Sequence, residues 1–434
     1  MIGRYRAVLS NRNFALLLTG QLISWLGSSL YLIALLWLVQ DLTGSRAMMG
    51  LVAACRSLPS LLGFAAGAVV DRWDRRRIMI TSELVRCAIV ALVPVLDWMN
   101  VLQAWHLPVI AALLGLATIF FVPARQSLMP SIVAGDELIQ ANGLMALGNQ
   151  FISAAGFAMG GVLIGILGIM PLFVANAVSF IASAASIFLM DQRPRPSGRA
   201  AIGDEAADRA SPPTPADRGQ LLRDIREGFA FIAATPLLTW TMPFVLAMNL
   251  VIVPLFVLLP AWARDILGGT ATTYGLLQTS HMVGLMIGSL LVGVLQQVTR
   301  RSTLIFSALS AQGVALFALV VGRSTAAAGI SLAVFGILDS LITVTWLSYA
   351  QRMIPRHMLG RVFGAIETVS QMLVPAGQAL GGVAGQVFAL PAVYLAVAAS
   401  RTIGSAFPWV VRRFRSLLDL EPPAPSHQQQ PAIS

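Results

Sequence analysis

A chain of 434 residues in which 57% are hydrophobic and only 11% are charged carries more apolar side chains than a soluble globule of this length can hide. The apolar residues run in about a dozen continuous blocks, which excludes a transmembrane β-barrel built from alternating segments of roughly ten residues. The net charge of +10 would otherwise point to a nucleic-acid partner, but every basic residue is arginine and their distribution follows membrane topology, so no nucleic acid is expected.

In chain order, spans are predicted at 14–39, 47–70, 78–99, 107–127, 138–167 and 171–190. The first of these is too long for the core of a signal peptide. From Asp191 to Gly219 the chain turns rich in Pro, Arg and acidic residues, a composition that buries no core and reads as a disordered cytoplasmic linker. Leu221, Leu222, Ile225 and Phe229 then recur at helical spacing opposite Arg223, Asp224, Arg226 and Glu227, the pattern of a helix lying on a membrane surface. Six more spans follow at 237–262, 272–297, 303–322, 325–350, 361–389 and 391–411, and the tail from Glu421 is Pro- and Gln-rich. The expected organisation is an N-terminal six-helix bundle over 1–190, a linker with an amphipathic helix over 191–236, a C-terminal six-helix bundle over 237–413 and a disordered cytoplasmic tail over 414–434. On these spans 23 of the 29 arginines fall in cytoplasmic segments, three outside and three in the bilayer, which puts both termini in the cytoplasm of a bacterial inner membrane. Cys55 and Cys87 sit in separate spans without disulfide or metal-ligand spacing, so no metal or cofactor is expected.

The two sets of six spans form a repeat. A shift of 225 residues brings Gly50 onto Gly275, Gly63 onto Gly288 and Arg75-Arg76 onto Arg300-Arg301. After a four-residue gap, Gly143 falls on Gly364, and Gly156, Gly160 and Gly161 fall on Gly377, Gly381 and Gly382. Parallel halves related by an axis along the membrane normal are a transporter design with the substrate site between them.

Between spans two and three stands Gly67-Ala68-Val69-Val70-Asp71-Arg72-Trp73-Asp74-Arg75-Arg76-Arg77. Gly67 is suited to close helix approach, Asp71 to capping or pairing, and Arg72, Arg75 and Arg76 to holding the loop in the cytosol. The run resembles the signature loop of the major facilitator superfamily, with Asp74 where the general pattern has a second glycine. Phe121-Val122-Pro123-Ala124-Arg125-Gln126-Ser127-Leu128-Met129-Pro130, with Ala141-Asn142-Gly143-Leu144, is similar to the macrolide-efflux and enterobactin-exporter branch, as is Gly360-Arg361-Val362-Phe363-Gly364. The resemblance implies an all-α membrane protein of twelve spans in two pseudo-symmetric bundles. It also implies secondary active efflux of a small amphipathic molecule, a drug, secondary metabolite or siderophore, against protons, by a functional monomer. Two positions depart from the pattern: Phe157 stands where antiporters carry a proline in span five, and Ser28 where relatives carry an acid in span one.

Charged groups at depth mark a function or a pair. Asp339, mid-way along span ten, is a candidate proton carrier, joined by Glu83, His281 and Glu367. Glu83 and Arg86 are three apart and share a helix face, which permits an ion pair. Glu367 is expected near Arg361 or the span two to three loop. Arg56, mid-span beside Pro59, would favour an anionic or strongly polar cargo if it faces a cavity, and would be a fold element if it faces an acid. Trp25, Tyr31, Trp240, Phe244 and Trp346 are candidate stacking surfaces for a planar substrate, while Trp37 and Trp262 are expected as interfacial anchors. A lipid or lysophospholipid translocator is the alternative within transport. A membrane enzyme or sensor is disfavoured, since a chain without lysine carries no conventional phosphate loop and shows no nucleophile-elbow or zinc spacing.

Overall fold

The computed structural model describes residues 6, 8–70, 73–134, 137–191, 226–227, 229–298, 300–354 and 358–410. The expected linker beyond Asp191, the tail, the first residues of the surface helix and the loop positions Asp71 and Arg72 lie outside them. Nine helices among the described residues are long and apolar enough to cross a membrane. They are Arg12–Thr43, Arg75–Trp98, His106–Ile132, Leu138–Leu167 and Met170–Phe188 in the first half. In the second half they are Leu238–Val257, Ala271–Gly293, Arg301–Val321 and Thr325–Gln351.

Three further segments complete twelve spans. Span two is broken: a helix at Arg46–Ser57 passes through a 3-10 turn at Leu58–Leu62, beside Pro59, into Gly63–Val70. Span eleven is broken between Leu359–Met372 and Val374–Val387, next to Pro375. Span twelve is Leu390–Val410. Several predicted ends move outward, because helices run beyond the apolar block wherever a cap is available. Asn11 accepts from the amides of Asn13 and Phe14 to start span one at Arg12. Asp74, in the glycine position of the loop motif, accepts from the amide of Arg77 and starts span three. Span seven ends earlier than predicted, at Val257, and a π-helical turn at Trp262–Ile266 carries the chain on toward span eight.

Polar groups are inside and large apolar ones face out, the arrangement a lipid solvent demands. Gln21, Asn176, Ser183 and Gln312 are buried, whereas Ile139, Trp98, Ile166 and Leu290 are exposed. Toward the end that bears the termini, the apolar core is separate in each half: Phe14, Leu17 and Met79 with their neighbours in one, and Leu238, Val362 and Ile366 in the other. Toward the opposite, far end, a single core joins them, with Leu35, Trp37, Leu258, Trp262, Tyr274 and Tyr394 in one cluster. Trp37 and Trp262 therefore are not interfacial anchors. Both are buried, and Trp262 stacks on Tyr394 with ring centroids 4.4 Å apart.

The repeated glycines explain how the halves meet. A Cβ on Gly156 would enter span one at Ser29 and one on Gly381 would enter span seven at Pro254, while those on Gly160 and Gly377 would lie against Ile33 and Leu250. The next glycine in each row points the other way. Gly161 packs on Gly275 of span eight, and Gly382 packs on Gly50 of span two, backbone against backbone. Five and eight, like eleven and two, thus form equivalent seams between the halves. Span five keeps an unbroken helix past Phe157, consistent with the missing proline. Gly67, by contrast, meets nothing within 4 Å among the described residues, and neither do Gly143, Gly293 and Gly364. The close approach expected at Gly67 is thus not seen among the described residues.

Candidate functional site

Two polar networks run through the apolar interior, one in each half. In the first, Arg86 and Glu83 of span three form an ion pair at 2.5 Å, with Glu83 wholly buried about 12 Å along the helix from Arg75. The hydroxyl of Ser183 donates to Glu83 Oε1 at 2.7 Å, Gln21 Nε2 to Ser183 Oγ at 3.5 Å, and Arg125 Nη1 to Gln21 Oε1 at 3.3 Å. Spans three, six, one and four are tied by this chain. The Arg86 guanidinium is sandwiched between Phe121 and Phe180, 4.4 and 4.5 Å from the ring centroids, which offsets part of its desolvation. Arg125, assigned from its apolar block to the cytosolic side, lies within the helix and sits 5.4 Å over the ring of Trp25. That contact occupies the face of Trp25 expected to stack on cargo.

The second network is built differently from equivalent helices. Arg401 of span twelve donates to Gln312 Oε1 at 3.2 Å and to the carbonyl of Met248 at 3.3 Å, and Gln312 Nε2 donates to Asp339 Oδ1 at 3.3 Å. Asp339 lies within Coulombic reach of both Arg401 and His281. Its hydrogen-bond partner among the described residues is Gln312. His281 is buried, with Phe256 and Phe335 at 4.7 and 5.8 Å, and neither ring nitrogen has a hydrogen-bond partner among the described residues. Each half therefore links its buried charges through one glutamine, Gln21 or Gln312. Sequence reasoning passed over both, because an uncharged polar residue in an apolar block signals nothing until its partners are known.

Between spans one, two, three, four and six the first half holds an open cavity of about 390 Å³. Tyr31, Arg56, Arg86 and Asn176 line it together with apolar walls that include Leu114 and Phe180. Arg56 thus faces a cavity and no acid. It is accessible and has no hydrogen bond or ion pair among the described residues. Tyr31 is 1% exposed, meets Phe173 edge-on at 5.5 Å, and has a hydroxyl without a partner.

The other expected site residues lie elsewhere. Trp240 is exposed in the first turns of span seven, Phe244 packs edge-on against Phe306 at 6.1 Å, and Trp346 is half-buried against the core of the second half. Glu367 is exposed and accepts from Gln371 of its own helix at 3.0 Å; the side chain of Arg361 is outside the described residues. The basic loop grips its own half. Arg76 donates to the carbonyls of Ile187 and Phe188 at the end of span six, and Arg75 to that of Ser127.

At the far end, four charges cross between the halves. Arg46 pairs with Asp265 at 2.8 Å and Arg264 with Asp41 at 3.2 Å, while Arg46 also donates to the carbonyl of Gly385 at 2.8 Å. Lower in the same seams Ser57 bonds Gln378, and Thr272 donates to the carbonyl of Gly161 at 3.1 Å. These contacts latch one end of the molecule.

Known proteins carry the same layout. The family model of the Major Facilitator Superfamily matches residues 17–378. Multidrug efflux pump Tap of Mycolicibacterium fortuitum is 28% identical over 390 residues, covering 88% of this chain and 91% of that protein. Macrolide efflux protein A of Streptococcus pyogenes is 21% identical over 361 residues, covering 82% and 85%. In fold alone, the chain matches the inward-facing crystal structure of a bacterial homologue of the iron transporter ferroportin, with a TM-score of 0.70 at 15% identity, over 93% of this chain and 99% of that one. Twelve spans in two related halves, seams of repeated glycines and the family match over most of the chain lead to one conclusion: this multi-pass membrane protein belongs to the Major Facilitator Superfamily of transporters.

Proposed function

We propose that this transporter exports small amphipathic molecules across a bacterial inner membrane by alternating access, driven by protons. The observation that carries the reading is the one-sided latch: glycine seams and two ion pairs join the halves at the far end, while the cores are separate at the other. Two bodies held at one end and parted at the other can exchange which end is closed by rocking. With the arginine-rich segments and both termini in the cytoplasm, the described state is inward-facing. Efflux as the direction draws support from the distant relatives named as a multidrug efflux pump and a macrolide efflux protein.

Proton coupling is placed on Asp339, with His281 beside it. A carboxylate joined to an arginine through one glutamine can change charge without leaving an orphan partner, since Gln312 keeps its bond to Arg401 either way. The test is transport in inside-out vesicles with and without an imposed proton gradient, using a panel of a macrolide, a planar dye and an organic acid. Gradient-dependent uptake of at least one of them, lost in Asp339→Asn, is the expected result. Uptake driven equally well in Asp339→Asn would remove Asp339 from the coupling path, and gradient-independent movement of lysophospholipid alone would favour a lipid translocator instead.

A further inference from the structure

The cavity of the first half holds an arginine that the protein leaves unneutralised. Arg56 and Arg86 both line it, but Glu83 already balances Arg86 from behind, so the cavity keeps one net positive charge. No acidic side chain lines it among the described residues. Tyr31 and Asn176 line the same cavity beside Arg56, and the Tyr31 hydroxyl and Asn176 Nδ2 are buried donors without a hydrogen-bond partner among the described residues. Leaving two buried polar groups unsatisfied beside an unpaired guanidinium is unfavourable unless something completes them.

We propose that this cavity receives the anionic group of the cargo, so that the transporter carries an amphipathic organic acid whose carboxylate, or comparable oxyanion, is held by Arg56, Tyr31 and Asn176. The consequence for transport rests on the export reading above; the binding itself does not. A guanidinium offers a carboxylate two parallel hydrogen bonds, and the hydroxyl and amide supply further donors to the oxygens that remain. Leu114, Ile119, Val122 and Phe180 provide walls for an apolar body. A cavity of about 390 Å³ suits a small ring system. A cationic cargo would meet Arg56 with like charge and find no acid to pair with. The position of Arg56, two residues before the broken stretch of span two, adds a link to motion, since Ser57 next to it holds Gln378 of the other half.

The experiment uses purified full-length protein and three isosteric probes: 2-naphthoate, neutral 2-naphthamide and cationic 2-naphthylmethylammonium, titrated by calorimetry. The expected order is naphthoate tighter than either of the others by about tenfold or more, a charge-assisted pair being the difference. Arg56→Gln should lower naphthoate to the level of the amide while leaving the amide unchanged, Arg56→Lys should restore part of the preference, and Tyr31→Phe should weaken naphthoate by about two- to fivefold. Equal affinities for the three probes, including no measurable binding of any, overturn the proposal, as does an unaltered naphthoate affinity in Arg56→Gln that runs as a single monodisperse species. Flux in proteoliposomes separates the two readings. Erythromycin moved without any naphthoate preference sinks the anion site and leaves export standing. Naphthoate bound through Arg56 with no movement of any solute supports the site and sinks export.

Discussion

Alanine at position 382 should weaken the far-end latch. Its Cβ would stand 2.6 Å from Gly50 Cα and 2.7 Å from the carbonyl oxygen of Arg46. These are backbone atoms on the opposite half, and no rotamer change relieves them. To reach ordinary contact near 3.4 Å, spans two and eleven must part by about 0.8 Å. Arg46 reaches across this gap to Gly385 and Asp265, both at 2.8 Å, so the same displacement stretches those bonds to about 3.6 Å, beyond useful hydrogen-bond length. Overpacking of this kind costs about 1–3 kcal/mol. The cost falls on the latched state alone, because the seam is parted when the far end opens, so the population ratio shifts by about 5- to 150-fold toward the far-end-open form. Spin labels at Asn100→Cys and Arg323→Cys, exposed in far-end turns of the two halves, read the change in a Cys55→Ser/Cys87→Ser background. A longer-distance population should appear in Gly382→Ala and not in Gly143→Ala, whose Cβ meets nothing. Identical distance distributions in parent and Gly382→Ala would refute the reasoning.

Three other perturbations have defined outcomes. Arg46→Gln with Arg264→Gln should favour the far-end-open form more weakly than Gly382→Ala, by about 0.2–1 kcal/mol per pair, since the pairs are partly exposed, and raising salt on the parent should mimic it in the same distance measurement. Glu83→Gln should lower the melting temperature markedly, an uncompensated buried charge costing about 3–5 kcal/mol, and Glu83→Gln with Arg86→Met should recover most of the loss; equal melting of Glu83→Gln and parent would count against the buried pair. Gln312→Leu should destabilise by about 2–4 kcal/mol, because Asp339 and Arg401 each lose a partner, whereas Asp339→Asn should change melting by less than about 1 kcal/mol, and thermal unfolding of both variants checks the contrast.

The parts legible from sequence share a physical reason. Lipid selects continuous apolar blocks, so the spans could be drawn from composition, and a repeated backbone contact selects glycine, so Gly161 and Gly382 were marked as equivalent before their partners Gly275 and Gly50 were seen across the seams. What escaped depends on partners far away in the chain. Arg125 falls two residues before the end of the predicted span and counts with the cytoplasmic arginines, and only the helix continuing to Ile132 and the ring of Trp25 place it inside. The latch joins Asp41 to Arg264 across 223 positions, and no local spacing announces it. One signal was available: Asp41 and Asp265 stand within a residue of the 225-residue repeat, so matched acids at matched span ends could have been flagged. Asp339 stands out in the sequence as a charge within a span, but its hydrogen-bond partner, Gln312, carries no charge to draw notice.

The repeat makes the two seams equivalent by descent, yet they are not equivalent mechanically. Spans five and eight cross it as uninterrupted helices, while spans two and eleven are both jointed, at Leu58–Leu62 and at Leu373, and the Ser57 to Gln378 bond lies beside the joints. A body fastened along one stiff edge and one articulated edge swings like a door hung on a single post. Its widest gap opens along the articulated side.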